Sequence, residues 1–177
     1  MKALLAGLSL MLAALACGQS PAQHHCSIVK HDGSATKHDA TKHDEMMKHG
    51  EKAMGFSQAK TTHHFYLSPS GGFIEVQTND SSDTASRDQI RHHLQEITKS
   101  FAAGDFSSPM LTHGKMPPGV PELRQRKSSL TYRYVQTDRG AKVFIQAADA
   151  EALRAVQEFL RFQMQEHETG DSEMVEK

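Results

Sequence analysis

Apolar residues recur in two rhythms along this chain, and the switch between them marks its elements. Over "HHFYLSPSGGFIEVQTND", Phe65 and Leu67 alternate with His64 and Tyr66, a Ser-Gly-Gly turn intervenes, and Ile74 and Val76 alternate with Phe73, Glu75 and Gln77. A period of two on both sides of a glycine turn predicts a β-hairpin. In "SSDTASRDQIRHHLQEITKSFAAGDF" the period lengthens: Ile90, Leu94, Ile97 and Phe101 share one stripe, Asp83 or Thr84 can cap the start, and Gly104 can stop the end. That pattern predicts an amphipathic helix.

After a Pro-rich loop, "SSPMLTHGKMPPGVPELRQRKSS", the same order returns. "LTYRYVQTDRGAKVFIQAAD" predicts two strands around Asp138-Arg139-Gly140, and "AEALRAVQEFLRFQMQEHETGD" a second helix with Leu153, Val156, Leu160 and Met164 inward. Both helices are expected to end in Gly-Asp, at Gly104-Asp105 and Gly170-Asp171. The chain reads as a duplicated ββα unit with a spacing of about 66 to 68 residues. Two hairpins and two helices pack most economically as an α+β domain, a four-stranded antiparallel sheet with two helices on one face. Register then turns Phe65, Leu67, Ile74, Val76, Val143 and Ile145 toward the helices. Phe159 fits between the helices. Phe162 points nearly opposite the core stripe, either as interhelical packing or, if exposed, as part of a homodimer or partner contact. The free face of the sheet, with His64, Tyr66, Phe73, Phe144 and Tyr132, is a second docking candidate.

Upstream of residue 62 neither rhythm is sustained. The start, "MKALLAGLSLMLAALACGQS", is Lys2, an apolar run from Ala3 to Ala16 and a small-residue exit, the build of a secretory signal. The run falls short of the roughly 20 apolar residues of a membrane span. The exit reads either as a lipobox that places a lipid anchor on Cys17, with Ala14 where Leu is usual, or as plain cleavage that leaves Cys17 and Cys26 to pair in an oxidising compartment. The lipobox is the preferred reading. A cut after Ala22 would instead start the chain Gln-His-His, whose amine, amides and His25 suit square-planar Cu(II) or Ni(II). Residues 1–16 are therefore assigned to the signal, 17–61 to a disordered or weakly helical linker rich in His, Met and Lys, 62–172 to the ββαββα domain and 173–177 to a disordered tail. Export to the bacterial periplasm is expected, with membrane contact only through the lipid.

Composition gives the linker a chemistry. Twelve His and nine Met sit in a chain with a net charge of −1. The interspersed charges lack the basic face that nucleic acid demands. Within the linker, Lys-His-Asp recurs at His31, His38 and His43 and is varied at His49, downstream of His24, His25 and Cys26. Such tracts bind metal as flexible polydentate ligands through neutral imidazoles. Met46, Met47 and Met54 add thioethers that favour Cu(I). A solvated spacer has no need of repeated histidine, so the tract reads as a metal-collecting arm.

The domain has histidines of its own. His63 shares the strand face of Phe65 and Leu67; His93 borders the helical stripe while His92 lies opposite it; His113 sits in the loop between Met110 and Met116. His63, His93 and His113 are expected to converge at one end of the sheet, with Met110 or Met116 completing the ligand set. The competing expectation is structural: His93 satisfied by a backbone carbonyl and His92 at the surface. A small periplasmic enzyme using His93 with Asp88, Glu96 or Arg87 is a weaker alternative, since the chain has neither a nucleophile elbow nor a phosphate loop.

The stretches "HHFYLSPSGG", "SRDQIRHHLQEI", "GDFSSPMLTHGKMPPGVP" and "EFLRFQMQEHETGD" make residues 62–172 similar to a group of small exported bacterial proteins. That resemblance implies export and carries no activity with it. The expected function is binding of copper, zinc or nickel in the envelope for buffering, resistance or handover. The alternative is an envelope interaction module tethered by its tail.

Overall fold

The structure, a computed structural model, describes residues 48–175. The expected signal, Cys17, His24, His25, Cys26, His31, His38 and His43 lie outside the described residues. Helix α1 occupies 48–54 and leads through a 3-10 turn, Gln58–Lys60, into strands β1 (Thr61–Ser68) and β2 (Gly71–Thr78). Then follow α2 (Thr84–Ala103), α3 (Ser107–His113), α4 (Val120–Gln125), β3 (Leu130–Thr137), β4 (Gly140–Ala147) and α5 (Ala150–Glu166).

The four strands form one antiparallel sheet in the order β1-β2-β4-β3. The hairpins meet at its centre, where Ile74 pairs with Val143. Because side chains alternate across a strand, one face collects Phe65, Leu67, Ile74, Val76, Val143 and Ile145, all buried as expected. Both long helices cover that face crosswise: α2 lies mainly over β3 and β4, and α5 mainly over β1 and β2. Each helix therefore packs chiefly on the hairpin of the other half. Asp83 caps α2 by accepting from the Ser86 amide, and Gly104, at φ 84°, ends it in the left-handed region that glycine adopts without a Cβ penalty.

Several expectations change here. The linker ends earlier than residue 61, because Phe56 is buried in the core and Gln58 is also buried. The Pro-rich loop contains α3 and α4; Val120 and Leu123 within it, and Phe106 just ahead of it, are wholly buried. Gly119 opens α4 at φ 79° and lies so close to α5 that a Cβ would stand 2.3 Å from the Ala155 carbonyl oxygen. This extra layer explains Phe162. It covers a second side of α5, so Phe162 is buried, with the His113 ring edge-on at 5.1 Å and Lys115 Nζ 5.0 Å from its centroid. It is therefore unavailable as a docking residue. Tyr132 pairs with Ile145 in register and packs against the core, on the helix side of the sheet and not its free face.

The second helix does not run to Gly170. It stops at Glu166 with His167 as its cap. The segment beyond turns back on β1: Asp171 accepts from the Phe65 amide at 2.8 Å and contacts His64 Nδ1 at 2.9 Å. That carboxylate covers an edge strand that would otherwise present an open amide. Glu173 in the expected tail also holds contacts, accepting from Arg161 through its carbonyl and from Gln165 through its carboxylate.

Candidate functional site

One end of the sandwich between sheet and helices gathers imidazoles from four elements. His63 comes from β1, facing inward because it has the parity of Phe65; His93 comes from α2, one place from the Ile90–Leu94 stripe; His113 ends α3; His167 caps α5. All four line one pocket of about 60 Å³, whose walls include Met54, Phe65, Thr112, Phe159 and Gln163. Organic ligands generally need roughly 300–1,000 Å³. A space this small suits an ion or a water or two, at about 30 Å³ per water.

The rings are close. His63 stacks on His167 with centroids 5.1 Å apart, and His113 meets His167 edge to face at the same separation. Phe56 bridges the remaining gap, 6.0 Å from His63 and 5.6 Å from His93. His63 Nε2 is sealed from solvent and has no hydrogen-bond partner, and the same holds for His113 Nδ1. The other nitrogen of His113, Nε2, lies 2.9 Å from Gln163 Oε1. With the amide oxygen accepting, Nε2 carries the proton and the Nδ1 lone pair is left free. Glu166 Oε2 stands 3.8 Å from that Nδ1, but the same carboxylate is paired with Lys115 Nζ at 2.9 Å.

Burial sets the charge state. It pulls His63 down to about 4, helped by His93 and then His64, and pulls His93 down to about 4, helped by His92. His113 is lowered as well, again chiefly by burial, against the opposing pull of Gln163 and Glu166. At neutral pH these rings are therefore uncharged, the form in which imidazole is a metal ligand. Among the described residues no three His, Cys, Asp or Glu side chains stand in a ready-made metal-holding group.

The expected ligand set divides in two. His63, His93 and His113 do come together, whereas Met110 and Met116 do not join them; they line a separate groove of about 810 Å³ with His49, Lys52 and Arg124. The reason is that α3 is a helix and acts as a wall. Ser108, Pro109, Thr112 and His113 face the imidazole pocket, and Ser107, Met110, Leu111 and Gly114 face the groove, positions half a turn apart at 100° per residue. Met110 additionally receives the Arg124 guanidinium at 3.4 Å. His92 is exposed, as its place opposite the stripe implied.

Two contributors have no counterpart in the sequence expectations: His167 and Gln163, which continue the row begun by Phe159 at steps of four, a spacing that already signals one helical face. Met54, expected as a linker thioether, instead packs against the core and lines the pocket.

No helix among the described residues is long and apolar enough to cross a membrane. No family model, no curated protein and no solved structure matches this chain.

Proposed function

We propose that this protein binds a transition-metal ion, copper, zinc or nickel, in the pocket shared by His63, His93, His113 and His167. The observation that carries this reading is the pair of sealed, unpartnered ring nitrogens, His63 Nε2 and His113 Nδ1, in one small pocket. Leaving buried polar atoms without a partner costs about 1–3 kcal/mol each. A bound cation recovers that cost by taking the lone pairs.

The histidine tract belongs to the same proposal. Exported by its signal and held at the envelope through Cys17, the protein would collect ions along His24, His25, Cys26, His31, His38, His43 and His49 for buffering, resistance or handover. Metal titration of the purified protein near pH 7 tests this. Uptake at micromolar metal should fall when His63 and His113 are both replaced by Ala; equal uptake by the two chains removes the pocket from the reading, and no uptake by either removes the reading itself.

A second reading, an envelope interaction module, draws on the free face of the sheet. Tyr66 stacks on Phe73 at 4.4 Å, Phe73 neighbours Phe144 at 5.2 Å, and Arg133 and Lys142 lie over Phe144 and Phe73. An aromatic row with cations laid across it suits a flat partner surface. Loss of a co-purifying envelope protein on Phe73→Ala, with metal uptake unchanged, would favour it.

A further inference from the structure

We infer that the imidazole pocket is built for monovalent copper, Cu(I), and that the Met54 thioether is part of its donor set. This inference rests on the metal-binding reading above and sharpens it. Its basis is the charge balance of the pocket. Every lining side chain is apolar, neutral or an imidazole: Met54, Phe65, Ile74, Val76, Leu94, Ile97, Phe101 and Phe159 form the apolar wall, and Ser108, Thr112 and Gln163 supply its only other polar groups. The nearest carboxylate, Glu166, is already neutralised by Lys115.

A divalent ion placed here would find no carboxylate among the pocket's lining side chains, and Glu166, 3.8 Å from His113 Nδ1, is already paired with Lys115. The cost of taking an ion out of water grows with the square of its charge, so a +2 ion pays about four times what a +1 ion of similar size pays in the same surroundings. Cu(I) fits the donors as well as the charge. Thioether and imidazole are the soft and borderline ligands that select it, and a monovalent soft ion is satisfied by fewer donors than the tetrahedral set that Zn(II) demands. The two sealed nitrogens and the Met54 side chain line the same pocket and are the donors the inference assigns to the ion. Met54 reaches the pocket because α1 turns its face toward the core at Gly50 and Met54, where a Cβ on Gly50 would come within 3.1 Å of the Met54 methyl. His49, Lys52 and Ala53 face the outer groove.

The test uses the full chain with the tract silenced by His24→Gln, His25→Gln, Cys26→Ser, His31→Gln, His38→Gln, His43→Gln and His49→Gln. Cu(I), supplied anaerobically as such against a chromogenic Cu(I) chelator, and Zn(II), against a Zn(II) indicator, are titrated in parallel. The expected result is one tightly held Cu(I) per chain, bound at least about a hundredfold more tightly than Zn(II). X-ray absorption should find nitrogen and sulfur scatterers around copper, with the sulfur lost in Met54→Leu and affinity reduced about tenfold. Leu matches Met in volume, so this variant should keep its fold, and the parent chain's sulfur signal needs no variant at all. Zn(II) or Ni(II) binding as tightly as Cu(I), or a Cu(I) site without sulfur, overturns the inference while leaving metal binding in place. No metal retained by the tract-silenced chain overturns the inference and removes the pocket from the metal-binding reading, leaving the tract to the titration of the unaltered chain.

Discussion

Asp171 and the buried histidines show how much of this fold depends on single side chains. Asp171 is 107 positions from His64 and takes both a backbone amide and an imidazole of β1. Replacing it with Ala strips the Phe65 amide of its partner, and urea unfolding should record a loss of about 1–2 kcal/mol, with faster hydrogen exchange at that amide. The histidines give a pH dependence whose sign follows from burial. His63 and His93 stay neutral in the folded chain down to about 4 but protonate at about 6.5 when unfolded. Below about 6.5 the unfolded state therefore binds more protons, and stability falls as pH drops toward 4 and levels off beneath it. The slope should be on the order of 1 kcal/mol per pH unit for each ring. Urea midpoints of the metal-free protein that are flat from pH 7 down to pH 5 would refute it.

Among the elements, α3 is a wall shared by both cavities. It is only seven residues long, too short to stand alone, and it is held by its flanks. Phe106 ahead of it stacks on Phe101 at 4.4 Å and meets Phe159 edge-on at 5.8 Å. Behind it, the chain must pass Gly119 within van der Waals reach of α5. Gly119→Ala combines a left-handed φ with a backbone clash at 2.3 Å, so it should cost more than the roughly 1 kcal/mol of conformational strain alone. Thermal melting reads the stability loss. A parallel fall in metal affinity would follow if α3 shifts and takes His113 with it.

For the whole molecule, the crossed packing of α2 on the second hairpin and α5 on the first makes the halves interdependent. Neither ββα unit can bury its apolar sheet face with its own helix, and β2 and β4 each need the other as a central partner. Unfolding of residues in both halves should therefore be one cooperative transition. Tyrosine fluorescence, reporting largely from Tyr132 and Tyr134 in β3, and the hydrogen exchange of the β1–β2 amides in the first hairpin should give the same midpoint in urea. Separate midpoints would mean that the halves are independent.

The regular part of this organisation was legible in the chain. Hairpin and helix rhythms depend on neighbours two to four places apart, so they located the four strands, both long helices, the inward register from Phe65 to Ile145 and the Asp83 and Gly104 ends of α2. The inward parity of His63 and the marginal place of His93 came from the same local arithmetic. What required the tertiary structure was everything set by segments far apart. The short helices α3 and α4 have too few turns to declare a period, and they owe their form to Phe106, Val120 and Leu123 docking on α5. That docking buried Phe162, parted Met110 and Met116 from the histidines and brought His113 inward. Residues 48–56 had no rhythm of their own, yet the core selected Met54 and Phe56 from them. His167 reached the pocket because α5 ends where Asp171 can fold the chain back onto β1, a decision made by a contact that local sequence does not encode.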